Sequence, residues 1–142
     1  MFQVDYDTMA ITMHQGDTGS FKIGATRESG AAWTEDDRMQ FTVMNGQGEI
    51  VMQRYYRLDD QYDLGDGKVL VEFHNDDTDT WPAGTYSTEL RFDVSPVWDS
   101  ETIPTGRCEN ALAEGMPHMI EGDIVRTQIQ STLTITGILG EI

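Results

Sequence analysis

Hydrophobic residues recur at every second position through most of this chain, and that period limits its fold more than any other feature. Met9-Ile11-Met13, Phe21-Ile23-Ala25, Met39-Phe41-Val43, Val69-Val71-Phe73, Tyr86-Thr88-Leu90-Phe92-Val94 and Leu133-Ile135 all alternate with polar neighbours. A strand sends successive side chains to opposite faces, so each set lines one face toward one core. Ser87, Glu89, Arg91 and Asp93 then point to water. No window carries an i, i+3, i+4, i+7 stripe of comparable clarity, which excludes a helical architecture.

Turn clusters separate the runs at residues 15–19, 45–48, 63–67 and 75–77. Asn45-Gly46 is the strongest hairpin signal among them, because both residues tolerate positive φ; it predicts antiparallel pairing of residues 39–44 with 49–56. About seven or eight short strands in such a chain predict an all-β, immunoglobulin-like antiparallel β-sandwich. A length of 142 residues fits one domain, 1–142. Phe21, Phe41, Val71, Leu90, Phe92 and Leu133 are its expected core. Residues 96–122 break the rhythm with three glycines and three prolines and read as an irregular insertion. Within it, residues 107–114 can form one or two helical turns.

Charge excludes several partners. Nine Lys and Arg stand against 25 Asp and Glu, a net charge of −16. Nucleic acid needs a cationic face, and an anionic membrane surface needs one too. No apolar run exceeds three residues, as in Ala31-Ala32-Trp33, so no spanning helix is expected. No Lys or Arg precedes Lys22, so a signal peptide is not expected either. A single cysteine, Cys108, leaves no internal disulfide framework.

Four segments together resemble a known family: QGDTGSFKI (15–23), DRMQFTVMN (37–45), GKVLVEFHNDDTDTWPAGTYSTELRFDV (67–94) and VRTQIQSTLTI (125–135). In order and spacing they are similar to small immunoglobulin-like domains of phage and prophage tail proteins. The nearest type is the N-terminal domain of baseplate upper proteins. The most specific piece is DTDTWPAGTYSTELRF. The resemblance implies an architectural role in a virion, made in a bacterial cytoplasm, with other phage tail proteins or further copies as partners. It implies no catalytic residue and no cofactor.

The corner in that segment also has a physical reading. Asp79 or Thr80 can cap a short helical turn, Pro82 fixes φ, and Gly84 supplies a positive-φ exit. Tyr86 then enters the next strand ring-inward, with its hydroxyl bonded back to the corner, as in a tyrosine corner.

Chemical candidates meet blander explanations. Cys108 has Arg107 as its one close positive charge and reads as a free thiol rather than a nucleophile. His14, His74 and His118 lack the spacing of metal ligands. Asp59, Asp60, Asp63 and Asp66, with Asp76, Asp77 and Asp79, offer oxygen ligands suited to calcium, but turn-forming Asp is the commoner explanation. Trp33, Trp81, Trp98, Tyr55 and Tyr56 can make a sugar-stacking platform, with Trp98 the aromatic expected to be exposed and Trp81 expected over the core edge. No G-x-S-x-G elbow supports a hydrolase.

The expected function is therefore a non-enzymatic tail or baseplate component, with a carbohydrate-binding module as the alternative. Residues 9–13 and 132–138 are rich in Thr and almost uncharged, which suits exposed edges open to a partner strand. Thr134, Thr136 and Trp98 are the candidate interaction residues. The competing arrangement pairs those two terminal strands with each other.

Overall fold

A computed structural model describes residues 1–98, 111–112, 119–126 and 131–136. The strands are β1 (Gln3–Asp5), β2 (Ala10–His14), β3 (Gly19–Gly24), β4 (Arg38–Met44), β5 (Ile50–Arg57), β6 (Lys68–Phe73), β7 (Gly84–Trp98), β8 (Ala111–Leu112), β9 (Met119–Arg126) and β10 (Ser131–Thr136). One helical turn, α1 (Asn75–Thr78), precedes β7. The large sheet runs β1-β2-β10-β7-β4-β5-β8, with β9 also on β7; β3 and β6 form a second, two-stranded sheet. The chain is an all-β sandwich.

Alternation explains the core. Phe21, Phe41, Val71 and Leu133 are buried as expected, while Leu90 and Phe92 are half-buried against the same cluster. Phe41 of the large sheet meets Phe21 of β3 and Phe73 of β6 edge-on, with ring centres 5.9 and 6.1 Å apart. Each such ring taken from water contributes roughly 1.5–3 kcal/mol. Leu90 and Phe92 fall short because a roof of two strands does not cover β7.

Residues 39–44 do pair antiparallel with β5. The turn differs from the expected one. Positive φ falls on Gly48 (+78°), not on Asn45 or Gly46. The Asn45 side-chain oxygen accepts hydrogen bonds from the Gln47 and Glu49 amides at 3.0 and 2.9 Å, and this Asx geometry shapes the longer loop.

Four expectations are corrected. The sandwich is not wholly antiparallel, because β2 and β10 run parallel, Thr134 opposite Thr12. Neither is a free edge: β10 lies between β2 and β7, and β2 between β1 and β10. The terminal strands satisfy each other's backbone, which removes the case for strand addition at Thr134 and Thr136. Residues 96–122 are not irregular throughout, since β7 continues to Trp98 and β9 starts at Met119. Ala111 and Leu112, placed in the expected helical turns, are strand paired with β5. Cys108 and His118 lie outside the described residues.

Candidate functional site

The C-terminal half of β7 pairs antiparallel with β9, and the two make a long arm. At Arg91–Asp93, β7 pairs with β4 on one edge and β9 on the other; β9 and β10 therefore follow each other along the same edge. Ser95 and Pro96 together oppose Gly122, because the register jumps from Val94↔Asp123 to Val97↔Glu121. This bulge accommodates a proline that a regular ladder would reject. Gly122 is required there: at φ +140°, an added Cβ would sit 2.8 Å from the Pro96 Cα.

Buried Asp37 holds the bulge in place. Its Oδ1 accepts the Ser95 amide at 2.7 Å, and its Oδ2 accepts the Thr34 amide at 2.7 Å. One carboxylate thus ties the turn before β4 to the arm. Arg27 adds a bond from Nη2 to the Ser95 hydroxyl at 3.1 Å, and its guanidinium lies over Trp33, which stacks on Phe92.

Trp98 is buried, contrary to the expectation of exposure. Its ring meets Tyr55 edge-on at 6.1 Å, and its Nε1 donates to the Asp36 carbonyl at 3.0 Å. The bulge turns Trp98 to the outer face of the large sheet, where Tyr55 points. With Trp98 seated, the arm presents Val97, Ile120, Ile124 and Val125, which are 50%, 71%, 45% and 51% exposed.

The outer face of β4, β5 and β7 carries a compact set of charges. Arg38 lies opposite Arg57 on one side and Asp93 on the other. Arg91 Nε donates to Asp93 at 2.8 Å, and Arg57 grips Asp59 through Nε and Nη2 at 2.8 and 2.5 Å. Burial alone would raise the Asp59 carboxyl, but the Arg57 hydrogen bonds bring it below the usual carboxylate value. Burial pushes the Tyr55 phenol up. The Arg91–Asp93 and Arg57–Asp59 pairs brace the outer face of the sheet.

The corner forms. The Tyr86 hydroxyl bonds to Pro82, Trp81 covers the Tyr86 ring with centres 5.3 Å apart, and Gly84 exits at φ +154°. Asp79 ends α1 rather than opening a helical turn, because His74 stands at the N-terminal cap. Thr136 Oγ1 contacts His14 Nδ1 at 2.7 Å, and Thr134 is half-buried between its two neighbours.

The acidic turns use their carboxylates on the chain itself. Asp60 accepts the Gly65 amide at 2.8 Å, Asp66 the Trp33 amide at 2.9 Å, and Asp77 the His74 amide at 2.7 Å while pairing with Arg54. Among the described residues, no group of three His, Cys, Asp or Glu side chains is placed to hold a metal. Pro96 hides the continuation of β7 in the sequence, and the apolar set Ile120, Ile124 and Val125 is the signal that marks its partner strand.

Comparison with protein families, curated proteins and solved structures finds no match.

Proposed function

We propose that this protein is a non-enzymatic structural component of a phage or prophage tail or baseplate, joined to other tail proteins through surface contacts. The observation that supports the assembly role is the β7–β9 pair, which Asp37 ties to the turn before β4 and which presents Val97, Ile120, Ile124 and Val125 to solvent. Exposed apolar side chains concentrated on one strand pair mark contact surfaces. The immunoglobulin-like tail assignment draws on the sequence resemblance, and the tyrosine corner and sandwich architecture agree with it. Virion localisation follows from the same reading.

The glycan-binding alternative draws less support. Trp33, Tyr55, Tyr56 and Trp98 are buried, and Trp81 is packed on the core. The exposed aromatics Tyr6 and Tyr62 sit in separate turns.

Mass spectrometry of particles purified after prophage induction tests the proposal. The expected result is the chain at fixed stoichiometry, with an Ile120→Lys, Ile124→Lys double variant folded but missing from particles. Particles that lack the wild-type chain overturn it.

A further inference from the structure

The two-stranded roof leaves the inner side of β7 open. Thr88, Leu90, Phe92 and Val94 form that side, and the last three are half-buried. They floor a trench of two hollows following one another along β7, about 330 and 650 Å³ in volume. Phe21 and Ile23 of β3, continued by residues 25–29, make one wall. Ser131 of β10 with Asp123 and Val125 of β9 make the other. No β6 residue lines either hollow, so the side of β3 facing the trench is the one that β6 does not pair. Among the described residues, that edge of β3 has no partner strand.

We propose that the trench receives an extended segment of a second protein, added as a strand along β3, apolar at alternate positions and basic at its ends. A row of free N–H and C=O groups supplies affinity in such strand addition, and pockets for alternate side chains supply selectivity. Thr88, Leu90, Phe92 and Val94 repeat at two-residue spacing over roughly 20 Å, the span of a six-residue strand, and the last three are apolar. β3 is itself six residues long.

Charge selects the occupant. Asp7, Glu28 and Asp123 stand exposed on the lining against one guanidinium, Arg27, which is already bonded to Ser95. A second copy of a chain of net charge −16 brings more carboxylates to a carboxylate rim. A lysine- or arginine-flanked segment brings the complement. This surface does not depend on the partner being a tail protein.

The test uses a short synthetic peptide alternating valine and threonine with lysine at each end, and the same peptide with glutamate ends. Calorimetry should show the lysine form binding about tenfold tighter or more, with an advantage that shrinks in salt. Amide exchange should slow across Gly19–Gly24. Reversing the exposed rim with Glu28→Lys and Asp123→Lys should weaken the lysine peptide about tenfold while leaving the melting temperature unchanged. Leu90→Arg should abolish binding by filling the floor with a cation. The proposal is overturned if the lysine peptide fails to bind, binds without protecting β3, or binds the rim-reversed variant equally well. Slowed β3 exchange in the protein alone, with dimers in sedimentation, assigns the trench to a second copy and overturns it too.

Discussion

The Tyr86 hydroxyl donates a 2.6 Å hydrogen bond to the Pro82 carbonyl oxygen, closing the turn that launches β7. The ring is buried under Trp81, so the bond is partly shielded from water. Tyr86→Phe keeps the ring and removes the donor. It should cost about 1–2 kcal/mol in urea denaturation, and an unchanged midpoint would show the hydroxyl contributes nothing.

Two glycines with the same backbone sign should respond differently to alanine. Gly67 has φ +75°, and an added Cβ would lie 2.0 Å from the Ala25 carbonyl oxygen; Gly48 has φ +78° with nothing within 4 Å. Gly67→Ala should therefore destabilise by about 2–3 kcal/mol or more, and Gly48→Ala by about 1 kcal/mol. Equal losses would mean that backbone conformation, not crowding, sets the cost at both sites.

Asp37→Ala removes the carboxylate that joins Thr34 to the bulge at Ser95. It should cost about 3 kcal/mol, since charge-assisted bonds to buried groups are the strong ones. Amide exchange should accelerate at Ser95 and along β9 more than in β3 and β6. Uniform acceleration would show that Asp37 supports the whole fold rather than the arm.

Alkaline pH should unfold the protein through its tyrosines. Burial pushes the Tyr56 phenol up to about 12 from 10.0. The folded state therefore keeps a proton that the unfolded chain releases. The Tyr56 contribution is complete below pH 10 and is lost as pH rises toward 12, a change of roughly 2–3 kcal/mol. Tyr55 and Tyr86, raised by burial as well, act in the same direction. Stability measured at about pH 9 and about pH 11.5 should differ less in Tyr56→Phe than in wild type.

Local features of the sequence were readable, and nonlocal ones were not. Alternation located β2, β3, β4, β6 and β7, and Asn45-Gly46 located the β4–β5 hairpin, because both signals lie within a few neighbouring residues. Pro82, Gly84 and Tyr86 foretold the corner for the same reason. Alternation says which side of a strand is apolar, but not how wide the opposing sheet is, so Leu90 and Phe92 looked fully interior. Pro96 looked like a strand end because nothing nearby announces Gly122 across the ladder. The two residues at the bulge turn the strand's phase and send Trp98 to the outer face, where packing on Tyr55 buries a side chain that its place in the insertion marks as exposed. The pairing of β10 was unreadable from its own composition, because freedom from charge suits an inserted strand as well as an exposed edge.

The parallel seam between β2 and β10 also sets the order of assembly. Thr136 Oγ1 donates to the Met13 carbonyl at 3.3 Å across 123 positions of chain. While the chain is being synthesised, β2 and the lower half of β7 are complete long before the strand that lies between them. The hairpin of β4 and β5 can form early, but the large sheet cannot close until β10 emerges. β2 therefore waits with an unsatisfied edge from residue 14, and β7 from residue 98, until β10 is made from residue 131 onward. Among the described strands, β10 is the one that turns those two separate edges into a continuous sheet.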